Sequence, residues 1–448
     1  MPVEGLAADT PGLALTTRDA AEIICHRAGG PVSVGRFLAE AAALAAALPA
    51  DGHALNLCAD RYAALLGFAA ALLRGHPTLL GARSGGGFLA MAAARYPGAY
   101  LLADEPGAAA PLPVFRVDAP RALRPAAAPP PIPAERVVAI GFTSGSTGTP
   151  TAHAKPWGAL VAAAAAAAAR FGLRPGDGPP TSIVATVPPQ HMYGFETTMM
   201  LPLRAAVAIH AGASFYPSEV QEALAAVPPR RLLITTPLHL RVLLADGRRP
   251  PALSAVISAT APLAPEMAMA VERDWAAPML EIYGATEAGS VASRRTAREE
   301  GWLPYAGTTV RDGVAEVPGL GAVPLADAVE PLADGRFRLL GRLADVVKLG
   351  GKRASLAELN RVLAGVPGVE DGVFLAPGDM ENNPAARLSA LVVAPGRTAA
   401  QIMDGLRGLI DPAFLPRRLA MVAALPRDSV GKLPRQALAG LLPGAEEA

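Results

Sequence analysis

Short runs of apolar, often β-branched residues recur along the chain, and each run ends in Thr, Ser, Pro or Gly. The segment that begins at His53 predicts an apolar strand, a helix with apolar residues at helical spacing, and a second strand after Pro77. Further strands are predicted for RVVAIGFT, TSIVATV, RRLLITT and LSAVISA, which begin at residues 136, 181, 230 and 253. Strands that alternate with helices are typical of parallel sheets, whose ligands bind beyond the carboxyl ends of the strands.

The pattern changes near Gly307, where short strands and turns predict a small barrel or meander. Beyond Arg342 the predicted order is strand, helix, two strands and a helix, which indicates a small α+β domain. We therefore expect an α/β protein with two domains. The N-terminal domain, residues 1–342, combines parallel-rich sheets, packed helices and a β-barrel-like part; the α+β domain follows at 343–448.

Composition supports a globular enzyme-sized protein, because 51% of the 448 residues are hydrophobic and only 18% are charged. The formal net charge of +1 argues against a nucleic-acid binder, which usually carries a basic surface. The tract VAAAAAAAA at 161–169 is shorter than the about 20 apolar residues that span a bilayer, so it predicts a helix and no membrane insertion. The N-terminal sequence lacks a signal-peptide pattern, so we expect a cytoplasmic location.

Cysteine and lysine are both used sparingly. Cys25 and Cys58 are too few for a disulfide framework or a zinc cluster, so we expect two buried thiols in a reducing compartment. Lysine supplies a compact, flexible charge that a planar guanidinium does not replace, so each lysine of an arginine-rich chain invites a functional explanation beside chance retention. Only four of the 40 basic residues are lysines, which are Lys155, Lys348, Lys352 and Lys432.

The segment FTSGSTGTP, residues 142–150, follows a predicted strand and clusters hydroxyl residues with glycines. Glycines let backbone amides turn toward an anion, and hydroxyl groups donate to phosphate oxygens. The GK[ST] ending of a Walker loop is absent. Taken alone, such a cluster is more often a flexible loop than a phosphate site.

The segment EIYGATEAGS, residues 281–290, is a second candidate motif. Alone, YGATE also fits a helix cap. Together, the two segments resemble the Thr/Ser/Gly loop and the Tyr-Gly-x-Thr-Glu signature of the adenylate-forming superfamily, which includes acyl-CoA synthetases, luciferases and nonribosomal-peptide adenylation domains. The resemblance extends from about residue 55 to residue 440.

The resemblance implies a phosphate loop at the first segment, with one departure. In the family, Pro-Lys-Gly usually follows the last glycine, whereas here Pro150 precedes Thr151 and Ala152. Either Lys155 replaces the missing lysine, or the loop needs none. The residues implied to grip the ATP phosphates are Thr143, Ser144, Gly145, Ser146, Thr147 and Gly148.

The rest of the nucleotide site is also implied by the resemblance. The loop SATAPL at 258–263, which contains Thr260, is expected to lie against the adenine, and Asp327 and Arg342 are expected to meet the ribose. The family's Thr-Gly-Asp is Leu-Ala-Asp here. The signature residues are Tyr283, Gly284, Ala285, Thr286 and Glu287. Tyr283 is expected to stack on adenine, Thr286 to touch the α-phosphate, and Glu287 to hold Mg²⁺.

Two C-terminal segments match the family's hinge and its lysine motif. In GRLADVVKLGGKRASLAEL, residues 341–359, Ala344 stands where many members carry an Asp or Lys pivot, and Asp345 beside it is the candidate replacement. The pattern of elements places the domain boundary at 342–345. The resemblance implies that the C-terminal domain is mobile and that its swing brings Gly350 and Gly351 to the thiol channel. In LPRDSVGKLPRQAL, residues 425–438, Lys432 is implied to bridge the substrate carboxylate and the α-phosphate as charge develops.

The acid is expected to bind at PPQHMYGFETTMMLPL, residues 188–203, which matches the family segment that borders the acyl pocket. His191 is either a gate for thiol access or an ordinary core histidine. The pocket candidates are His191, Met192, Tyr193 and Phe195.

The resemblance therefore implies an AMP-forming ligase that uses ATP and Mg²⁺ to join an aryl or acyl acid to the thiol of CoA, or to the phosphopantetheine of a separate acyl carrier protein. A narrower likeness points to compact ligases of aryl polyene pathways. One alternative is an amino-acid adenylation enzyme, with Glu196 facing the ammonium group. Another alternative is a noncatalytic nucleotide-binding homologue. Ala344 and the missing loop lysine favour this alternative, whereas the presence of both Glu287 and Lys432 argues against it.

Overall fold

The computed structural model describes residues 12–81, 86–105, 111–118, 129–143, 150–342, 346–349, 352–377 and 387–427, and the single residues 433, 438 and 441. The chain forms two compact units. The first comprises Met1–Thr309 and Ala315–Val323, and the second comprises Val310–Val314 and Pro324–Ala448. The predicted boundary at 342–345 stays a prediction, and residues 343–345 lie outside the described ranges.

A nine-stranded sheet dominates the first unit. Its six central strands run parallel, and antiparallel strands close both of its ends. In the order in which they pair, the strands are β15 (Leu303–Pro304), β14 (Gly289–Arg294), β13 (Met279–Ala285), β12 (Leu253–Ser258), β11 (Arg231–Thr235), β9 (Thr181–Ala185), β10 (Val207–His210), β1 (Ile23–His26) and β2 (Val32–Ser33).

A six-stranded sheet completes the strand framework of this unit. All of its pairs are parallel except the last, so β8 returns antiparallel to β7 after the segment that resembles the phosphate loop. The strands pair in the order β6 (Val114–Arg116), β5 (Ala99–Ala103), β3 (His53–Asn56), β4 (Thr78–Leu80), β7 (Val137–Thr143) and β8 (Thr151–Pro156). The predicted parallel-rich α/β fold is confirmed.

Helices pack on these sheets and form one large core with their inner faces. The helix α2 (Arg61–Arg74) is buried along most of its length. At its start the Asp60 side chain accepts a hydrogen bond from Ala63 N at 2.9 Å, and Gly75 ends the helix in the left-handed conformation, at φ 88°. The helices are α1 (Val34–Ala47), α2 (Arg61–Arg74), α3 (Gly86–Arg95), α4 (Trp157–Arg170), α5 (Met192–Phe195), a π-helical turn (Glu196–Met200), α6 (Leu201–Arg204), α7 (Pro217–Ala226), α8 (Pro237–Ala245) and α9 (Pro265–Trp275).

The alanine tract forms part of α4, as predicted, and it turns Ala164 and Ala168 into the core. Within the described ranges, no helix combines the length and the apolarity that a membrane crossing requires. Both cysteines are buried and neither forms a disulfide, and burial raises the pKa of the Cys25 thiol.

The second unit is a small α+β assembly, as predicted. Its α10 and α11 pack on a three-stranded sheet through apolar residues that include Leu359, Leu363, Ile402 and Leu406. The elements are β19 (Asp327–Pro331) paired with β20 (Phe337–Arg342), β21 (Val346–Leu349) paired with β22 (Lys352–Ser355), α10 (Leu356–Ala364), the sheet of β23 (Asp371–Leu375), β24 (Ser389–Val393) and β25 (Arg418–Met421), α11 (Ala399–Arg407) and a 3₁₀ turn (Pro412–Phe414).

The region beyond Gly307 was predicted as a small barrel or meander. In the described residues its first three strands pair in chain order, as a meander does. They are β16 (Thr309–Arg311), β17 (Val314–Val317) and β18 (Gly321–Pro324).

Candidate active site

The phosphate-loop segment begins where β7 ends. Thr143 is the last residue of β7, and its Oγ1 lies 3.0 Å from Nε2 of His153 on β8. Strand and motif therefore meet as the sequence predicted, at the carboxyl end of a buried strand. The other predicted phosphate ligands, Ser144 to Gly148, lie outside the described residues.

The YGATE signature forms the connection between β13 and β14. Tyr283, Gly284 and Ala285 end β13, while Thr286 and Glu287 lie in the turn that precedes β14. The alternative of a helix cap is therefore wrong, because the signature joins two strands. We call residues 286–288 the YGATE turn.

The YGATE turn lies against β7. A Cβ atom on Gly141 would stand 2.7 Å from Cγ2 of Thr286, closer than nonbonded carbon atoms approach, so any larger residue at position 141 would force Thr286 to shift. Gly141 and Thr143 face the same side of β7, since side chains alternate along a strand. The two segments that resemble the phosphate loop and the nucleotide signature are thus brought together, although they belong to different sheets.

Lys155 contacts the YGATE turn from β8. Its Nζ donates to the backbone oxygen of Glu287 at 2.7 Å, and the residue is only 1% exposed. Burial lowers the pKa of Lys155 to about 8, and the negative charges of Glu196 and Glu287 oppose that shift. The ammonium group is therefore engaged with the turn.

His153 is a site residue that the sequence reasoning missed. It lies two residues before Lys155 and so shares its face of β8. Burial lowers the pKa of His153; the charge of Glu287 opposes this effect, and the charge of Lys155 adds to it. The available signal was the strand TAHAKP itself, in which His153 and Lys155 are the alternating polar positions.

The Tyr283 ring, which is expected to stack on adenine, is buried at 8% exposure. Its centroid lies 5.6 Å from that of Trp302, and the Arg294 guanidinium lies 4.4 Å from the centre of the Trp302 ring. Arg294 in turn donates from Nε to Glu281 at 2.9 Å. This chain of contacts fixes the plane in which Tyr283 can offer a stacking surface.

Glu281 also holds the loop that is expected to border the adenine. Its Oε1 accepts from Leu263 N at 2.9 Å, at the end of SATAPL. Within that loop Thr260 has φ 81°, a left-handed conformation that is costly for a β-branched residue. Such strain is typical of functional loops whose surroundings impose their shape.

The acid segment runs into α5. His191 precedes this helix, and its Nδ1 accepts from Tyr193 N at 3.3 Å. The Tyr193 hydroxyl donates to Ile257 O at 2.8 Å, which ties the segment to β12 beside Ser258. Phe195 is fully buried and meets Phe68 of α2 edge to face, with ring centroids 4.9 Å apart.

Glu196 connects the acid segment to β14. Its carboxylate accepts from Ser290 N at 3.2 Å and from the Ser290 hydroxyl. Gly289, at φ 76°, allows this approach, because a Cβ there would stand 2.6 Å from Glu196 Oε1. Burial raises the pKa of Glu196, while the Ser290 hydrogen bonds and the charge of Lys155 oppose the rise.

A small cavity of about 10 Å³ lies beside Glu196, with Thr197, Ile282, Ser290 and Tyr305 among its lining residues. The Tyr305 hydroxyl is buried there without a hydrogen-bond partner in the described part of the chain. Most of the lining is apolar, and Glu196, Ser290 and the Tyr305 hydroxyl are among its polar groups.

The predicted ribose residues meet in the second unit. Asp327 begins β19 and Arg342 ends β20, and the two lie directly opposite each other in the antiparallel pair. This pairing was not apparent in the sequence, because the sequence does not show the register in which the two strands pair.

The remaining predicted site residues, Ala344, Asp345, Gly350, Gly351 and Lys432, lie outside the described residues. The lysine motif is nevertheless anchored on both sides. Leu425 and Leu438 are buried in one apolar cluster with Val373, Leu391 and Val393 of the C-terminal sheet.

The donors around the YGATE turn fit Mg²⁺ bound together with a nucleotide. Among the described residues, no group of three or more His, Cys, Asp or Glu side chains could hold a metal ion alone. Glu287 supplies one carboxylate, and Mg²⁺ commonly takes one or two carboxylates with substrate phosphates and water.

Comparison with known proteins identifies the family. The model of the family described as AMP-binding enzyme matches residues 91–317, just over half of the chain. The 4-coumarate–CoA ligase of Rhodobacter capsulatus is 32% identical over 304 residues, which cover 66% of this chain and 75% of that protein. The chain belongs to the AMP-binding enzyme family. The predicted resemblance to adenylate-forming enzymes is thereby confirmed.

Solved structures show the fold of this AMP-binding enzyme in related chains. ATP-bound MatB from Rhodopseudomonas palustris matches with a TM-score of 0.78 at 19% identity, over 94% of this chain and 95% of that chain. O-Succinylbenzoate coenzyme A synthetase (MenE) from Bacillus subtilis, in complex with ATP and magnesium ion, matches with a TM-score of 0.77 at 17% identity, over 93% and 96%. At these identities the likeness shows the fold alone.

Proposed function

We propose that the protein is an AMP-forming ligase that activates an aryl or acyl carboxylic acid with Mg-ATP and transfers it to a thiol. The acceptor is CoA or the phosphopantetheine of a separate acyl carrier protein. The observation that carries the proposal is the contact of Thr286 with Gly141, which joins the YGATE turn to the strand entering the phosphate-loop segment.

The acid segment meets the same place. Glu196 binds Ser290, three residues beyond Glu287, so the expected acid pocket adjoins the expected metal ligand. A reaction between a carboxylate and a nucleotide phosphate needs both anions in one oriented site, and positioning can contribute about 7–11 kcal/mol to such a step. The arrangement supplies this proximity.

In the first step, a carboxylate oxygen of the acid forms a bond to the α-phosphorus, the bond to the bridging oxygen of pyrophosphate breaks, and pyrophosphate leaves with its electron pair. Thr143 and the following loop hold phosphate oxygens, Tyr283 holds the adenine, and Thr286 donates to the α-phosphate. Glu287 would hold Mg²⁺, which when bound would neutralise charge at the phosphates. Lys432 stabilises the charge that develops between acid and phosphate.

In the second step, the thiol sulfur bonds to the acyl carbon, the bond between that carbon and the phosphate oxygen breaks, AMP leaves with the electron pair, and the thiol proton passes to solvent. We propose that the C-terminal domain moves about residues 342–345 between the two steps, so that Lys432 leaves and Gly350 and Gly351 arrive. No protein nucleophile is needed in either step.

An aryl acid is the favoured substrate. The relative from Rhodobacter capsulatus is named for 4-coumarate, and MenE for o-succinylbenzoate, both of which contain an aromatic ring. Amino-acid activation is less favoured, because Glu196 already accepts two hydrogen bonds from Ser290 and faces the charge of Lys155. A substrate ammonium group would have to compete with both.

ATP–pyrophosphate exchange tests the first step directly. The panel contains hydroxycinnamic, hydroxybenzoic and fatty acids, with 3-phenylpropanoic acid and phenylalanine as a matched pair that differs in the ammonium group. We expect exchange with aryl acids and none with phenylalanine or without acid. Exchange with amino acids alone would assign the chain to amino-acid adenylation. Nucleotide binding without exchange for any acid would support the noncatalytic alternative.

The acceptor is tested by adding CoA or a holo acyl carrier protein to the enzyme loaded with its best acid. Thioester formation and AMP release identify the acceptor that the enzyme uses. Stable adenylate with both thiols would contradict the proposed second step.

A further inference from the structure

Lys155 is an unusual residue for its position. The side chain is almost fully buried on β8, in a chain that uses arginine for nearly all of its positive charge. A buried ammonium group is costly unless it is paired and hydrogen-bonded. Its presence therefore calls for a specific acceptor.

That acceptor is the backbone oxygen of Glu287, at 2.7 Å from Lys155 Nζ. The hydrogen bond fixes the peptide group that follows the Glu287 Cα atom, and so fixes the direction in which its side chain leaves the turn. Charge-assisted hydrogen bonds of this kind are stronger than neutral ones. Lys155 thus controls the orientation of the one carboxylate in the YGATE turn.

The YGATE turn is constrained from three directions. Thr286 packs against Gly141 on β7. Lys155 on β8 donates to the Glu287 carbonyl, and Glu196 in the acid segment accepts a hydrogen bond from Ser290. The charges of Lys155 and Glu196 also attract each other. Of these groups, only Lys155 acts on the peptide of Glu287 itself.

We propose that Lys155 is a positioning residue for adenylation, which aims the Glu287 carboxylate at the metal–nucleotide complex before substrate binds. The inference rests on the proposed function, because it takes Glu287 as the Mg²⁺ ligand. It also gives Lys155 a role different from that of a loop lysine that contacts phosphate. The ammonium acts through the backbone of the turn, and touches neither substrate.

The test measures ATP binding by calorimetry over a Mg²⁺ titration, for the wild type and for Lys155→Met. Methionine keeps the unbranched, apolar body of lysine but lacks the terminal donor. Partners that orient a metal ligand typically change metal affinity by about 10–100-fold, so we expect the Mg²⁺ midpoint to rise by about tenfold or more. ATP binding without Mg²⁺ should change by less than about twofold, because the Lys155 ammonium is hydrogen-bonded to the backbone oxygen of Glu287.

Arg18→Met is the matched control. Arg18 is also a buried base that donates to backbone carbonyls, those of Pro202, Val207 and Ile23, and none of these three residues is among those proposed to bind the nucleotide or Mg²⁺. We expect this variant to lose thermal stability while its Mg²⁺ midpoint stays unchanged. If Lys155→Met shows the same result, a lower melting temperature with an unchanged midpoint, its role is structural and the proposal is overturned.

Lys155→Arg is measured in parallel in case the methionine variant does not fold. Arginine retains the charge, but its planar fork does not place one donor as the lysine ammonium does. A Mg²⁺ midpoint raised several-fold supports the proposal, and an unchanged midpoint overturns it.

Wild-type ATP–pyrophosphate exchange separates this inference from the proposed function. A Lys155-dependent Mg²⁺ midpoint in a chain without exchange supports the positioning role and contradicts the ligase. If ATP binding to the wild type does not depend on Mg²⁺, both the positioning role of Lys155 and the proposed ligase function are contradicted.

Discussion

Gly141 of β7 and Thr286 of the YGATE turn touch so closely that a single methyl group at position 141 would collide with the threonine, at 2.7 Å from its Cγ2 atom. The contact joins the six-stranded sheet to the nine-stranded sheet at the expected position of the α-phosphate. The distance between the phosphate loop and the YGATE turn is therefore set by the absence of a side chain.

Gly141→Ala should displace Thr286 and weaken adenylation. Because a displacement of about 1 Å can cost about 100-fold in rate, we expect kcat/KM for ATP to fall by at least about tenfold. Steady-state exchange kinetics measure the effect. Gly87→Ala on α3 is the control, since no heavy atom lies within 4 Å of the Cβ it would add. Equal activity of both variants would contradict the proposed role of the contact.

Glu287→Gln should weaken the binding of Mg²⁺ and so raise the Mg²⁺ concentration that activity requires. The amide keeps the shape of the side chain but loses the negative charge that a hard cation prefers. We expect the Mg²⁺ concentration for half-maximal exchange to rise by about tenfold or more, in line with the loss of a ligand contact. An unchanged metal titration would remove Glu287 from the metal site.

Lys432→Ala should separate the two half-reactions. The lysine is expected to act only while the adenylate forms, so exchange should fall by at least about 100-fold, comparable to the loss of one electrostatic donor in a transition state. Thioester formation from chemically prepared acyl adenylate should stay within about threefold of wild type, because the lysine has left by then. Equal losses in both assays would show that the assigned role is wrong.

Arg61→Met should destabilise the first unit. The guanidinium of this fully buried residue donates to the carbonyls of Ala185, Val187 and Gly212, where two strands of the large sheet end. Removing it leaves these acceptors unsatisfied, which typically costs about 1–3 kcal/mol each before relaxation. We expect a loss of about 3 kcal/mol or more in the free energy of unfolding, measured with urea.

Arg74→Met is the control for this experiment. Arg74 is exposed and donates to Pro49 O, so its loss should cost about 0–1 kcal/mol, as exposed polar contacts do. A loss of that small size for Arg61→Met would mean that water replaces the guanidinium at the strand ends.

The strands of the fold could be predicted because their apolar runs are long enough to show their period. The run after Arg136 becomes β7, and the runs that begin at Thr181 and Leu253 become β9 and β12. The strand end at Thr143 is also readable, since the apolar pattern stops where hydroxyl residues and glycines begin. Local sequence therefore places each motif on its element.

The contacts between motifs could not be predicted in the same way. Alternation shows that His153 and Lys155 share a face of β8, but not that Glu287, 132 positions from Lys155, lies on that face. The same holds for Glu196 and Ser290, and for Asp327 opposite Arg342, whose pairing depends on strand register. Packing of whole sheets decides these contacts, and no local pattern encodes it.

The division of the site between two sheets has a thermodynamic consequence. The strand that enters the phosphate loop belongs to the six-stranded sheet, and the YGATE turn belongs to the nine-stranded sheet. A nucleotide bound by both sheets would link them to each other. Its binding free energy would add to the apolar packing that already joins the two sheets. At a concentration of 100 times Kd, this linkage is worth about 2.7 kcal/mol. The substrate of the enzyme would thus also be a component of its folded architecture.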